Sequence, residues 1–96
     1  MNKYTELSDF KINKKVAERL FLKFTDSWSV ILVDGESFDP CNSPADAMPI
    51  IIDNGISMVR VNNTWSARQF NNHCIEINGD NYFRIAMEVY LLMNGK

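Results

Sequence analysis

FDPCNSPADAMPIII, residues 38–52, decides how this chain is read. It holds a cysteine, all three prolines of the chain and a block of isoleucines. Ser43-Pro44-Ala45-Asp46 has the order of a helix start. A serine cap accepts a first-turn amide, proline suits the first helical position, and an acid three residues after the cap can reach back to the cap amide. Ala47, Met48, Ile50, Ile51 and Ile52 then supply apolar surface, and Asn54-Gly55 supplies a stop. Pro49 lies beyond the first turn and removes an amide, so the stretch predicts a short, bent, largely buried helix over about 44–54. Replacing Ser43 and Asp46 together by alanine is then expected to cost about 1–2 kcal/mol.

Upstream, residues 7–24 read as a first helix. Ser8 is its cap, Asp9 suits the dipole, and Leu7 and Ile12 are spaced for a hydrophobic staple. Ile12, Val16, Leu20 and Phe24 recur every fourth residue, widened by Phe10, Ala17 and Phe21. Lys11, Lys15, Arg19 and Lys23 run beside that stripe. Residues 27–33 (SWSVILV) read as a strand, with Trp28, Val30 and Leu32 on one face and Ile31 and Val33 on the other. Asp34-Gly35 is a turn signal, and extended structure can resume over 36–38.

Downstream, residues 56–61 alternate, Asn62-Asn63 turns the chain, and 64–70 supply a hairpin partner. A turn over 71–73, a short strand over 74–77 and a turn at Asn78-Gly79 follow. Asp80 or Asn81 starts a last helix that Asn94-Gly95 ends. Its apolar surface is broader than a stripe, so it is either central to the core or part of an interface. The expected fold is α+β and sandwich-like: a small antiparallel sheet of three or four strands, 28–33 included, packed with three helices. The first and last helices are expected on the sheet. Residues 1–96 make one domain of ordinary size.

Composition narrows the function classes. Net charge is −2, whereas a general nucleic-acid binder carries a basic surplus. Residues 1–24 nevertheless hold six Lys or Arg against three Asp or Glu, a basic end on an acidic body. No stretch has signal-peptide or transmembrane character, which points to the cytosol and to reduced Cys41 and Cys74.

Several residues invite chemistry. Cys41 stands before a helix start, where a thiol can be activated, and His73 is the one histidine available as its base. No triad or oxyanion loop accompanies them, and a small packed thiol is the simpler reading. Cys41, His73, Cys74 and Asp39 lack a tight chelating pair, so no metal or cofactor is expected. Asp39, Asp46, Asp53 and Asp80 form no recognised acid-base pair, so no catalytic residue is assigned. Arg60 and Arg68 can join the first helix in a basic patch, with Trp65 or Tyr82 as a stacking surface. Arg84, a cation near a helix start, is unfavourably placed for the dipole and is expected to pair with Asp46 or Asp80.

The runs FDPCNSPADAMPIIIDNGIS (38–57) and NYFRIAMEVYLLM (81–93) resemble the phage protein NinX family. The pattern FxPCNxPADAxPII is matched by Phe38, Pro40, Cys41, Asn42, Pro44, Ala45, Asp46, Ala47, Pro49, Ile50 and Ile51. Met48 stands where the family often has tryptophan. In the second run Asn81, Arg84, Ala86, Met87, Val89, Leu91 and Met93 match, while Tyr82, Ile85 and Tyr90 replace the usual residues. A looser likeness is to small phage α-β-α sandwich domains. The resemblance implies a bacteriophage or prophage accessory protein of unknown biochemical activity in the host cytoplasm. It is expected to be non-enzymatic and to act through protein contacts, as a homodimer or on a host or phage protein. The alternative is a DNA- or RNA-binding accessory protein using Lys11, Lys15 and Arg19 of the first helix, with no membrane partner. Cys41, Asn42, Ser43, Asp46, Trp65 and Arg84 complete the candidate interaction or motif residues.

Overall fold

The computed structural model describes residues 3–69 and 72–94, with backbone alone at 72–74 and 94. Along these residues run α1 (Asp9–Arg19), β1 (Thr25–Ser27), β2 (Val30–Val33), β3 (Glu36–Ser37) and α2 (Pro44–Asp53). They continue through β4 (Ile56–Val61), β5 (Thr64–Gln69), β6 (Asn72–Gly79) and α3 (Tyr82–Asn94). The class is α+β as expected. The strands divide, however, into two antiparallel three-stranded sheets, β1-β2-β3 and β4-β5-β6.

Helix α1 starts as its sequence dictates. The Lys11 amide donates to Ser8 Oγ at 3.2 Å, and Leu7 and Ile12 both join the core. It stops after Arg19 instead of reaching 24. Phe21 adopts φ 59°, its amide donates to the Glu18 carbonyl, and the Leu22 amide donates to the Ala17 carbonyl. That pair of bonds is the Schellman termination, made here on a phenylalanine where glycine is usual. The apolar repeat runs on through Phe24, but a left-handed residue ends a helix whatever the periodicity.

The extended run expected over 27–33 is two strands. Ser27 pairs with Val30 around a two-residue turn at Trp28-Ser29, with Trp28 at φ 60°. Tryptophan is not a usual turn former and serine alone is a weak turn signal, so the sequence conceals the hairpin. Within β2 Ile31 is the buried residue, while Val30 is exposed and Trp28, now in the turn, is 97% exposed. Asp34 and Gly35, both at positive φ, then turn the chain into β3. This closes the small sheet locally and keeps 28–33 out of the larger one.

In the larger sheet, Asn62 and Asn63 take φ 49° and 70°, the left-handed pair that a two-residue hairpin needs. The turn expected over 71–73 begins outside the described residues, and the backbone of 72–73 already lies in β6. Asn78-Gly79 is not a turn either, because Gly79 pairs with Trp65 in the ladder. Its lack of a side chain serves packing: a Cβ there would sit 2.8 Å from Ile85 Cγ2.

Helix α3 is the centre of the molecule. Every residue from Ile85 to Leu91 is buried, and the helix packs on α1, α2 and all three strands of the larger sheet. Its broad apolar surface is thus consumed by the core. Helix α1 packs on α3 and β2, so it reaches the larger sheet through α3.

Helix α2 is one-sided instead of largely buried. Ala47, Ile50 and Ile51 face the core, whereas Pro49 and Ile52 are exposed. The helix continues through Pro49, whose exposed side lets water reach the carbonyl that its missing amide leaves. The expected capping box is not made. Ser43 makes no side-chain cap bond, and its amide is already donated to the Asp39 carbonyl at 2.7 Å. Asp46 reaches back further, accepting the Asp39 amide at 2.9 Å.

Candidate functional site

The residues of the 38–46 loop converge with α1 and α3 on one polar network. Arg84 lies at its centre, on the first turn of α3 and 14% exposed. Its position follows from the helix start, where the Arg84 amide donates to Asn81 Oδ1. The guanidinium pairs neither with Asp46 nor with Asp80. Its Nε donates to Glu88 Oε2 and its Nη1 to Asp9 Oδ1, both at 2.6 Å. Its Nη2 donates to the carbonyls of Leu7 (2.7 Å) and Tyr4 (3.0 Å). A planar fork with fixed donors suits such a set of acceptors. The unfavourable helix position is thereby offset: the charge is answered by two carboxylates.

From Asp9 the network passes into the loop. Asn42 Nδ2 donates to Asp9 Oδ2 at 3.1 Å and to Asp39 Oδ1 at 3.2 Å. Asn13 Nδ2 donates to Asp39 Oδ1 at 2.8 Å, while Asn13 Oδ1 accepts the buried Cys41 amide at 3.1 Å. Asn13 thus ties α1 to the loop through both ends of its amide. The network explains why Asp39, Cys41, Asn42 and Asp46 stand together in one short run.

The charges respond to this packing. Burial acts to raise the Asp9 carboxyl, but the Arg84 and Asn42 hydrogen bonds outweigh it and hold it below the usual aspartate range. Burial likewise opposes the charge on Arg84, and the bonds to Glu88 and Asp9 override it, strengthening its hold on the proton. Burial pushes the Cys41 thiol far above its ordinary range, with the Asp9 charge adding to the effect. Cys41 is fully buried and its Sγ faces the Asp9 carbonyl at 3.9 Å. A protonated, enclosed thiol has the surroundings of a packing residue.

The network forms one wall of an open pocket of about 420 Å³ between α1 and the β1–β2 hairpin. Asp9, Asn13, Asp39 and Asn42 line the polar side. Phe10, Val30, Ile31 and Phe38 line the apolar side. Trp28 stands two residues before Val30 at the hairpin turn.

The other candidates separate. Lys11, Lys15 and Arg19 are exposed on α1, and neighbouring Lys14 pairs with Asp26 at 3.2 Å. Arg60 and Arg68 do not share a patch with each other. Arg60 pairs across from Trp65 and Arg68 from Ser57, which sends the two to opposite faces of the sheet. Arg60 lies over the Trp65 ring, and Arg68 pairs with Glu76 at 3.5 Å above Ser66. Trp65 and Tyr82 meet edge-on at 4.8 Å, so each ring is engaged by the other. Among the described residues no three His, Cys, Asp or Glu side chains are grouped to hold a metal, and the side chains of His73 and Cys74 lie outside them.

Sequence reasoning missed Asn13 and Glu88. Asn13 interrupts the buried face of α1 beside Ile12, Val16 and Ala17, and a polar residue there signals a buried partner. Glu88 lies four residues after Arg84, the spacing of a helical ion pair.

Fold and site together define a small α+β protein wrapped around one buried helix, with a polar network fastening its N-terminal segment. The family described as Bacteriophage P22, NinX, matches residues 3–94. The chain belongs to that bacteriophage family, as its two sequence runs indicate. No curated protein and no solved structure matches it. No helix among the described residues is long and apolar enough to cross a membrane.

Proposed function

We propose that this chain is a non-enzymatic phage accessory protein that acts through protein contacts in the infected host cytoplasm, with the β1–β2 hairpin as its contact surface. The observation that carries this reading is Trp28. It is 97% exposed and held at φ 60°. A bulky residue in left-handed backbone costs about 1–2 kcal/mol relative to the right-handed form. Exposure returns none of that cost, and glycine or asparagine would serve the turn better. A strained residue with no internal role is a candidate for an external one, and tryptophan is a preferred anchor at protein interfaces. The enclosed Cys41 thiol supports the non-enzymatic part.

The test is a tagged pulldown from infected cells, with a nuclease-treated parallel sample and the Trp28→Ala variant. The expected result is a stoichiometric protein, either phage or host, that survives nuclease and is lost with Trp28→Ala. Sedimentation of the purified chain checks for a homodimer through the same surface.

Exposed Lys11, Lys15 and Arg19 favour a second reading, nucleic-acid binding by α1. It predicts retardation of random duplex or single strands that weakens with salt and vanishes when all three become glutamate. A partner lost on nuclease treatment would move this reading to the front.

A further inference from the structure

We propose that the pocket between α1 and the β1–β2 hairpin receives an arginine or lysine side chain from a basic segment of a partner protein. This rests on the hairpin being the contact surface, and it specifies the chemistry of what the hairpin contacts.

Two features of the pocket converge. The first is charge. Two carboxylates, Asp9 and Asp39, line the cavity, and no lysine or arginine among the described residues does. Arg84 answers Asp9, but Asp39 receives only the side-chain amides of Asn13 and Asn42 and has no cation within ion-pair distance among the described residues. The second is shape. A cavity of about 420 Å³ lies in the range of pockets that take a whole small group. Its apolar walls, Phe10, Val30 and Phe38, suit the methylene stem of a long cationic side chain whose head reaches the carboxylate.

Other occupants fit worse. A phosphate or acidic peptide would meet Asp9 and Asp39 and be repelled. A purely apolar side chain would strip water from Asp39 without giving it a partner, which is unfavourable. A charge-assisted bond from a guanidinium or ammonium supplies that partner.

The experiment uses the full chain, ¹⁵N-labelled, titrated with a capped pentapeptide of glycines around a central arginine. The comparison peptide carries citrulline, which keeps the shape and loses the charge. The expected result is shifts at the amides of Ser29, Val30 and Asp39, with the arginine peptide bound about tenfold more tightly. Asp39→Asn should abolish that preference while leaving the spectrum folded. Ser37→Lys, on exposed β3, should block the pocket from within and abolish binding without touching the network. Equal binding of the two peptides at the hairpin would overturn the basic occupant and leave the hairpin as a contact surface. No shift with either peptide would overturn it too, and the Trp28→Ala pulldown then decides the surface on its own. Self-association of the peptide-free chain that Ser37→Lys abolishes would overturn it in favour of a second copy.

Discussion

Replacing Arg84 by methionine removes one guanidinium and breaks bonds to Asp9, Glu88, Tyr4 and Leu7 together. We expect a loss of about 3 kcal/mol, because a mostly buried carboxylate at Glu88 loses its ion partner while apolar volume is kept. Arg84→Lys keeps the charge but not the fork, so about 1–2 kcal/mol is lost. Urea midpoints at constant slope check both. The Asp9 carboxyl, held below its usual range, gives a pH signature. The unfolded chain takes up this proton near pH ~4, while the folded chain resists it to lower pH. Its contribution is therefore complete above about pH 4 and is lost as pH falls through the folded value. Asp9→Asn lacks that contribution, so its thermal midpoint should fall less steeply with acid than the wild type's. That Arg84 needed a counter-charge was legible from its place near a helix start. The i+4 spacing points to Glu88, whereas Asp9 was illegible because it lies far away in sequence and no periodicity links the two.

Among the elements, the helix starts at Ser8 and Asn81 were legible, whereas the end of α1 and the cap of α2 were not. Ser8, Asn54 and Asn81 cap as their types suggest, with Asn54 Nδ2 donating to the Ile50 carbonyl at 2.8 Å. Asn62-Asn63 and Asp34-Gly35 turn because asparagine, aspartate and glycine tolerate positive φ. The Trp28-Ser29 and Phe21 reversals were illegible for the converse reason: left-handed backbone on an aromatic has no signal in residue type. Phe21→Gly should therefore raise stability by about 1 kcal/mol, since it relieves the strain and removes a side chain that is 91% exposed. The cap of α2 separates two readings. Ser43→Ala should change the denaturation midpoint by less than about 0.5 kcal/mol, because no cap bond is lost. Asp46→Ala should cost about 1 kcal/mol through the Asp39 amide. Equal losses for the two would restore the capping box. Gly79→Ala should cost about 1–3 kcal/mol, because Ile85 is buried and cannot yield freely to a new methyl.

At the scale of the whole molecule, one core joins α1, α2, α3 and the larger sheet, and Cys41 belongs to it. Its thiol should be alkylated only through opening of the structure. Modification of the Cys41-containing peptide, followed by mass spectrometry, should accelerate in step with added urea. Fast labelling in water would contradict the burial. The class of fold was legible because apolar periods and turn residues mark the elements. Its division into two sheets was not, because it depends on the concealed turn at Trp28. For the same reason the pocket beside that hairpin was invisible: Asp39 reads as a loop acid until the hairpin folds over it.

The Arg84 tether also sets an order of events during synthesis. Residues 4–9 are made before the elements that hold them, and the group that fastens them belongs to α3, the last element of the described residues. Helix α1 can meet β2 early, but its side facing α3 waits until both sheets and α2 are made. A chain that ends before Arg84 cannot make the tether, so truncation there is expected to leave residues 4–9 unfastened.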